Sequence, residues 1–169
     1  MIASRFSLRC AEEEFLGLRQ EFRGRLEAAF SVYQAGYREA HGGECAPWVM
    51  TSGRRSLRQQ AQEMCAMTPA QLRGLYCNGG IPSYVEELIR AMPLTEESAY
   101  CILQNRSEGY ISKHLFGAAA DFSPRSIQDP ARFRTALEGQ SLRLLDESPH
   151  GVPCFHVFDP GIAAEIVRE

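Results

Sequence analysis

Apolar side chains recur at steps of three and four residues between residue 11 and about residue 40, with charged residues between them. This period is that of an amphipathic helix whose apolar stripe faces the core. Gly42 and Gly43 follow the pattern, and glycine just past a helix terminus commonly ends the helix. We therefore predict one N-terminal helix over residues 11–40. Its apolar positions are Phe15, Leu16, Phe22, Leu26, Ala29, Phe30 and Tyr33.

The middle of the chain predicts three further helices. The first two begin at residues that suit helix starts: Ser56, an N-cap residue type, and Thr68-Pro69, in which proline takes the first helical position. The glycines and asparagine of residues 77–80 predict a turn before the third helix. We interpret residues 67–97 as a helical insert that covers one side of a cleft. The three helices are expected over residues 56–67, 69–76 and 82–92.

Short apolar runs predict the strands. The run at residues 47–51 opens on Ser52-Gly53, which indicates a strand that leads into a turn. Further strands are expected over residues 100–104, 118–122, 142–145 and 155–158, and short helices over 131–137 and 162–167. Strands interleaved irregularly with helices favour an α+β fold with a small, mainly antiparallel sheet and flanking helices. We predict a single domain over residues 1–169.

Composition restricts the class of protein. A chain of 169 residues that is 44% hydrophobic can bury roughly 70% of its unfolded surface in one domain. Its 18 basic residues are scattered among 21 acidic ones without a basic block, which argues against a nucleic-acid partner. No window approaches the roughly 18 to 20 apolar residues of a membrane span. Charged residues within positions 1–19 interrupt any signal-peptide core.

The six cysteines leave two interpretations open. An even number of cysteines fits disulfides formed in an oxidising compartment. Six reduced, mostly buried thiols fit equally well, because free cysteine behaves as a small hydrophobe. The chain holds no Cys-x-x-Cys pair, so we do not expect a structural zinc knuckle or a thioredoxin-like redox motif.

Candidate metal ligands lie in two segments. His114 and Asp121 stand seven residues apart across a run of small residues, which let the backbone turn and bring the carboxylate back beside the imidazole. His156 follows in a strand-like apolar run. Two imidazole nitrogens and one carboxylate oxygen are a ligand set for catalytic zinc, with a fourth position left open. We predict one Zn²⁺ per chain on these residues, although the same ligands would also hold Mn²⁺ or Co²⁺.

A zinc hydrolase also needs a general base near its metal. The base accepts a proton from the attacking water and later passes it to the leaving amine. Asp146 and Glu147 precede His156 along the chain. We assign the role of base to Glu147.

Two motifs resemble a known family. Residues 112–121 match the pattern S-x-H-x-x-G-x-A-x-D, the signature of the zinc D-alanyl-D-alanine carboxypeptidase and dipeptidase family, which includes vancomycin-resistance dipeptidases and several phage endolysins. Residues 51–56, TSGRRS, resemble the family's S-G-Y-R-S segment, with Arg54 in place of the usual aromatic. The resemblance implies a fold shared with the hedgehog signalling domain.

The resemblance also implies roles for individual residues. In the family the first histidine, the aspartate and a later histidine bind zinc, and an acidic residue before the last ligand is the base. An arginine in the S-G-Y-R-S segment binds the substrate carboxylate or steadies the oxyanion. We place Ser112 and His150 among the substrate-binding residues as well. Carried onto this chain, the ligands are His114, Asp121 and His156, the base is Glu147 and the arginine is Arg55.

The spacing of the last motif departs from the family. Base and last ligand are usually about three to six residues apart, whereas nine separate Glu147 from His156, so residues 148–154 must loop out. Two prolines and a glycine suit such a loop. His150 is the alternative ligand, because Glu147 and His150 have the E-x-x-H spacing seen in some members. We prefer His156, whose strand would hold the side chain in place.

The expected function is that of a zinc metallopeptidase acting on peptidoglycan peptides. We expect a D-Ala-D-Ala-type carboxypeptidase or endopeptidase that uses zinc-activated water and a glutamate base. One alternative is an inactive zinc-holding domain that binds a wall peptide or a protein partner, and its best support is the long spacing from Glu147 to His156. Another is a secreted effector that degrades cell walls. The substrate class implies a periplasmic or secreted location.

Overall fold

The computed structural model describes residues 5–77, 80–107 and 111–168, which form an α+β fold. Within these ranges, seven α-helices flank one open sheet of five strands. The predicted turn at Asn78-Gly79 lies outside the described residues. The helices are α1 (Glu12–Leu16), α2 (Gln20–His41), α3 (Leu57–Cys65), α4 (Pro69–Tyr76), α5 (Ser83–Arg90), α6 (Glu96–Asn105) and α7 (Pro130–Glu138). The strands are β1 (Phe6–Leu8), β2 (Trp48–Ser52), β3 (Ala119–Phe122), β4 (Arg143–Asp146) and β5 (Phe155–Phe158).

The sheet is mostly antiparallel, as predicted. Its strand order is β1-β2-β3-β5-β4, and only the β1–β2 pair is parallel among the strand pairs of the described residues. In the register of β3 and β5, Asp121 lies directly opposite His156. On the other side of β5, Leu145 of β4 lies opposite His156. The centre of the sheet therefore brings two predicted ligands together.

The two faces of the sheet have different roles. On one face, the fully buried Trp48 packs edge to face with Phe122 at 5.8 Å and with Phe133 of α7 at 4.7 Å between ring centroids. Side chains alternate along a strand, so Asp121, next to Phe122, points to the opposite face. One face thus forms the aromatic core, and the other carries the candidate ligands.

The predicted strand over residues 100–104 is wrong, because these residues belong to α6. Thr95 caps this helix and forms a capping box with Ser98, which stabilises the first turn. Ala99 and Leu103 lie one turn apart on the helix and are fully buried, and α6 packs against α3. Capping and helical packing therefore outweigh the β-propensity of the Tyr-Cys-Ile-Leu run.

The predicted helix over residues 162–167 is also wrong, because the chain runs there without helical structure. Side chains bind its backbone carbonyls instead. The Lys113 ammonium donates to the carbonyl of Ile162 at 2.5 Å, and the Arg106 guanidinium donates to that of Val167 at 2.9 Å. These contacts hold the segment in a non-helical path along the protein.

The predicted single helix over residues 11–40 is two helices, α1 and α2. The break falls at residues 17–19, where the Arg19 amide donates to the carbonyl of Gly117 at 2.9 Å. Gly42 ends α2 in the left-handed conformation, as expected for a C-terminal glycine. Strand β1, which was not predicted, lies just before α1 in the chain and pairs with β2.

Candidate metal centre

Three side chains converge on one point at the ligand-bearing face of the sheet. His114 Nε2 lies 3.2 Å from Asp121 Oδ1 and 3.2 Å from His156 Nδ1. His156 Nδ1 lies 2.9 Å from the same Asp121 oxygen. The three residues form a group that could hold a metal ion. His114 and Asp121 are buried and His156 is half-buried, so an ion there would be largely shielded from solvent.

The convergence has a local cause at each residue. Asp121 and His156 are a cross-strand pair on neighbouring strands, and such pairs place their side chains within contact distance. His114 lies in the 3₁₀-helix Lys113–Phe116, just before β3. The Ser112 hydroxyl caps this helix by accepting from the His114 amide at 3.3 Å. The 112–121 motif is therefore a capped helical turn that leads into a central strand.

Gly117 makes the turn between the helix and β3. Its φ of +72° lies in the left-handed region, where side chains are disfavoured. An added Cβ would also lie 2.6 Å from the carbonyl oxygen of Gly17 and 3.0 Å from the Arg19 nitrogen. The turn brings Asp121 back beside His114, as the small residues between them predicted. Glycine is required there by both conformation and space.

The orientation of His114 is set by a backbone carbonyl. His114 Nδ1 lies 2.6 Å from the oxygen of Gly53, which fits an Nδ1–H donor and leaves the lone pair of Nε2 directed at the group. Burial lowers the pKa of His114, which keeps the imidazole neutral, as a metal ligand must be. Gly53 belongs to the TSGRRS segment, but its carbonyl was not predicted as a partner of His114.

Helix α1 supports that carbonyl. Glu14 Oε2 accepts from the Gly53 amide at 2.9 Å and from the Ser52 hydroxyl at 3.3 Å. An added Cβ on Gly53 would lie 2.5 Å from the carbonyl oxygen of Glu14, so the two backbones touch. The role of Glu14 could not be predicted from the sequence, because nothing in the pattern of α1 distinguishes it from its acidic neighbours.

Arg55 binds the outer oxygen of Asp121. Its guanidinium donates to Asp121 Oδ2 at 2.6 Å and to the Ser52 hydroxyl at 2.7 Å. Oδ1 of Asp121 is thereby left facing the histidines. Burial alone would raise the pKa of Asp121, but its polar partners in the group hold it well below its usual value. The carboxylate is therefore ionised at neutral pH, and Arg55 orients it.

Glu147 reaches the site although it is distant from His156 in sequence. Its amide donates to the carbonyl of Cys154 at 3.1 Å, which closes the predicted loop between β4 and β5. Gly151 adopts φ +78° within this loop. Glu147 therefore lies opposite Cys154, two residues before His156, and residues two apart share a strand face. Although nine residues separate them along the chain, Glu147 and His156 are therefore diagonal neighbours across the β4–β5 pair.

The environment of Glu147 suits proton transfer. Burial raises the pKa of its carboxyl group, whereas nearby His156 lowers it. The Cys154 thiol donates to Glu147 Oε2 at 3.4 Å. A carboxyl group with a raised pKa exchanges protons more readily near neutral pH than an exposed one.

A cavity of about 700 Å³ opens over this group. His114, Asp121, His156, Glu147 and Arg55 all contribute to its walls, as does Ser112. Helix α4, in the predicted helical insert, supplies Leu75 and Tyr76 to one wall. The other apolar lining residues include Met67, Ile111, Leu144, Val152 and Phe158. An apolar cleft with a few convergent polar groups is typical of sites that bind small ligands or peptides.

His150 lies apart from this cavity. It is exposed, and its ring packs on α4, where an added Cβ at Gly74 would lie 2.4 Å from His150 Nδ1. The structure therefore brings His156, and not the alternative ligand His150, to the candidate metal group.

A scan of the chain against models of known protein families found no match, and neither did searches of curated proteins and of solved structures. The resemblance to the D-alanyl-D-alanine peptidases therefore rests on the motifs at residues 51–56 and 112–121. All six cysteines are free thiols in the described part of the chain. None of the described helices is both long enough and apolar enough to cross a membrane.

Proposed function

We propose that this protein is a zinc metallopeptidase that cleaves peptidoglycan peptides, as a D-Ala-D-Ala-type carboxypeptidase or endopeptidase. The observation that carries the proposal is the convergence of His114, Asp121 and His156 in a cavity whose wall also holds Glu147. The substrate class comes from the resemblance of the two motifs to the D-alanyl-D-alanine peptidases. A hedgehog-like fold and a periplasmic or secreted location belong to the same proposal.

The donor set fits zinc. Bonds of about 2.0–2.1 Å in a tetrahedral site separate ligand atoms by roughly 3.4 Å. The three donor atoms lie 2.9–3.2 Å apart, so small side-chain shifts would admit the ion. The carbonyl of Gly53 orients one ligand and the guanidinium of Arg55 orients another, which are the kinds of outer contacts that zinc ligands commonly have. All three ligands line the cavity, so a water or substrate there could reach a bound ion.

The residues around the group have separate roles in the proposed reaction. When bound, zinc supplies a water of lowered pKa and polarises the scissile carbonyl. Glu147 takes a proton from the attacking water and passes it to the leaving amine nitrogen. Arg55, fixed by Asp121, binds a terminal substrate carboxylate or the oxyanion. Ser112 in the cavity wall binds the peptide, and a substrate contact by the exposed His150 stays a prediction.

The non-enzymatic alternative, a zinc-holding binding domain, was favoured by the long spacing between Glu147 and His156. The pairing of β4 with β5 and the bond from the Glu147 amide to the Cys154 carbonyl are compatible with a Glu147 that serves the same site, which supports the peptidase proposal. A secreted effector that degrades cell walls would use the same site and chemistry, so it differs from the main proposal in export route and not in mechanism.

The test is cleavage of a wall pentapeptide ending in D-Ala-D-Ala by the zinc-loaded protein, with products identified by mass spectrometry. Glu147→Gln should keep its zinc and lose about 10²–10⁴-fold in rate, because the proton carrier is gone. Glu138→Gln, an exposed carboxylate on α7, is the matched control and should cleave like wild type. Failure of the zinc-loaded wild type to cleave any wall peptide, or full activity of Glu147→Gln, would contradict the proposal.

A further inference from the structure

Tyr76 lines the cavity and has no role in the mechanism above. Tyr76 is the last residue of α4, and its oxygen accepts a hydrogen bond from Gln60 Nε2 at 2.9 Å. Gln60 is fully buried on α3. Its Oε1 has no hydrogen-bond partner among the described residues, which is costly for a buried polar atom. A buried glutamine with an unpaired oxygen therefore lies beside a tyrosine of the cavity wall.

The direction of the Gln60 contact determines what the phenol can do. A tyrosine hydroxyl has one hydrogen to donate and lone pairs to accept with. Because Gln60 donates to the oxygen, the phenolic hydrogen is directed away from Gln60. Tyr76 lines the same cavity as Arg55, Glu147 and Asp121, and the charges of all three act on the pKa of its phenol. The phenolic hydrogen is thus free to be donated to another acceptor.

We propose that Tyr76 is a further catalytic residue of the hydrolase, whose hydroxyl donates a hydrogen bond to the substrate oxygen that becomes negative when water attacks. Gln60 is a positioning residue, since it acts through the phenol. The inference rests on the proposed function and adds to it a neutral oxyanion donor. No bond is made or broken at Tyr76, because it only stabilises developing charge. Burial raises the pKa of Tyr76, so the donor stays protonated through the neutral range.

The first variant to test is Tyr76→Phe, which removes only the hydroxyl. We expect kcat on the D-Ala-D-Ala pentapeptide to fall about 100-fold with little change in KM, the size typical for loss of one oxyanion donor. Affinity for a phosphinate analogue of the peptide, whose tetrahedral oxyanion resembles the transition state, should fall by a similar factor. Zinc content should not change. Tyr33→Phe is the matched control, because Tyr33 is a buried tyrosine whose oxygen accepts from the Asp129 amide in the opposite part of the core.

A second variant tests the positioning role and does not depend on the folding of the first. Gln60→Met keeps the volume and removes the donor, so the phenol is free to turn. We expect intermediate losses in kcat and in phosphinate affinity, with normal zinc content.

The outcomes separate this inference from the proposed function. An active wild type with an equally active Tyr76→Phe that binds the phosphinate normally would overturn the role of Tyr76 and leave the peptidase proposal standing. A zinc-loaded wild type that neither cleaves the peptide nor binds the phosphinate would contradict the proposed function, and the role of Tyr76 with it.

Discussion

Replacement of Gly117 by alanine tests how the fold brings the ligands together. The residue has φ +72°, and a new Cβ would meet backbone atoms of Gly17 and Arg19 at 2.6 and 3.0 Å. Backbone cannot rotate away as the end of a flexible side chain can, so the contact must be relieved by moving the turn. That turn connects His114 to Asp121.

The magnitude follows from two separable costs. A side chain in the left-handed region costs roughly 1–2 kcal/mol. Overpacking against fixed neighbours costs typically about 1–3 kcal/mol more. Gly117→Ala should therefore lower the free energy of unfolding by about 2–5 kcal/mol. Gly42 has nearly the same φ, +70°, but open space around it, so Gly42→Ala should show only the first cost. Gly24 lies inside α2 with no neighbour near a new Cβ, so Gly24→Ala should raise the free energy of unfolding by about 0.5–1 kcal/mol.

Urea unfolding of the three metal-free variants measures these differences as shifts in midpoint at constant m-value. Zinc titration of the same samples should show at least about tenfold weaker binding for Gly117→Ala and unchanged binding for the other two, because contacts that support metal ligands commonly contribute that much. If Gly117→Ala is no less stable than Gly42→Ala, the close approach of the turn to residues 17–19 is refuted.

Two further predictions concern the groups that support the site. Glu14→Ala should weaken zinc binding about 10–100-fold, because it releases Gly53, whose carbonyl orients His114. Replacement of its exposed neighbour, Glu13→Ala, is the control and should leave zinc binding unchanged. Equal zinc affinities of the two variants in a competition assay would contradict this prediction. The second prediction concerns the thiol beside Glu147, because the acidic limb of kcat/KM reports the pKa of a base that must be deprotonated. Cys154→Ala removes a thiol donor that lowers this pKa, so the limb should move to higher pH, and a limb that stays in place or moves lower would count against the contact.

Periodicity and capping predicted most of the helices and strands, and the wrong predictions have physical causes. The capping signals at Ser56 and Thr68 identified α3 and α4, because both residues form capping boxes. The β-prone run at residues 100–104 predicts a strand when it is considered alone, whereas the Thr95 cap that precedes it indicates the helix that forms. Residues 162–167 have helical periodicity, but their carbonyls are bound by Lys113 and Arg106, which only the folded chain brings near.

The ligands of the site could be predicted from sequence, but their supports could not. The seven-residue spacing and the strand-like run around His156 suffice to suggest three converging ligands. The partners that orient them are far away along the chain: His114 and Gly53 are 61 residues apart, and Gly53 and Glu14 are 39 apart. The Gln60–Tyr76 contact likewise joins two helices. Such pairs depend on tertiary packing, which periodicity does not encode.

The most direct test of the metal centre is the zinc content of the dialysed wild type, His156→Ala and His150→Ala, measured by mass spectrometry. The geometry predicts about one zinc per chain in the wild type and in His150→Ala, and almost none in His156→Ala. Zinc retained by His156→Ala and lost from His150→Ala, or no zinc in the wild type, would contradict the assignment of His114, Asp121 and His156 as the metal site.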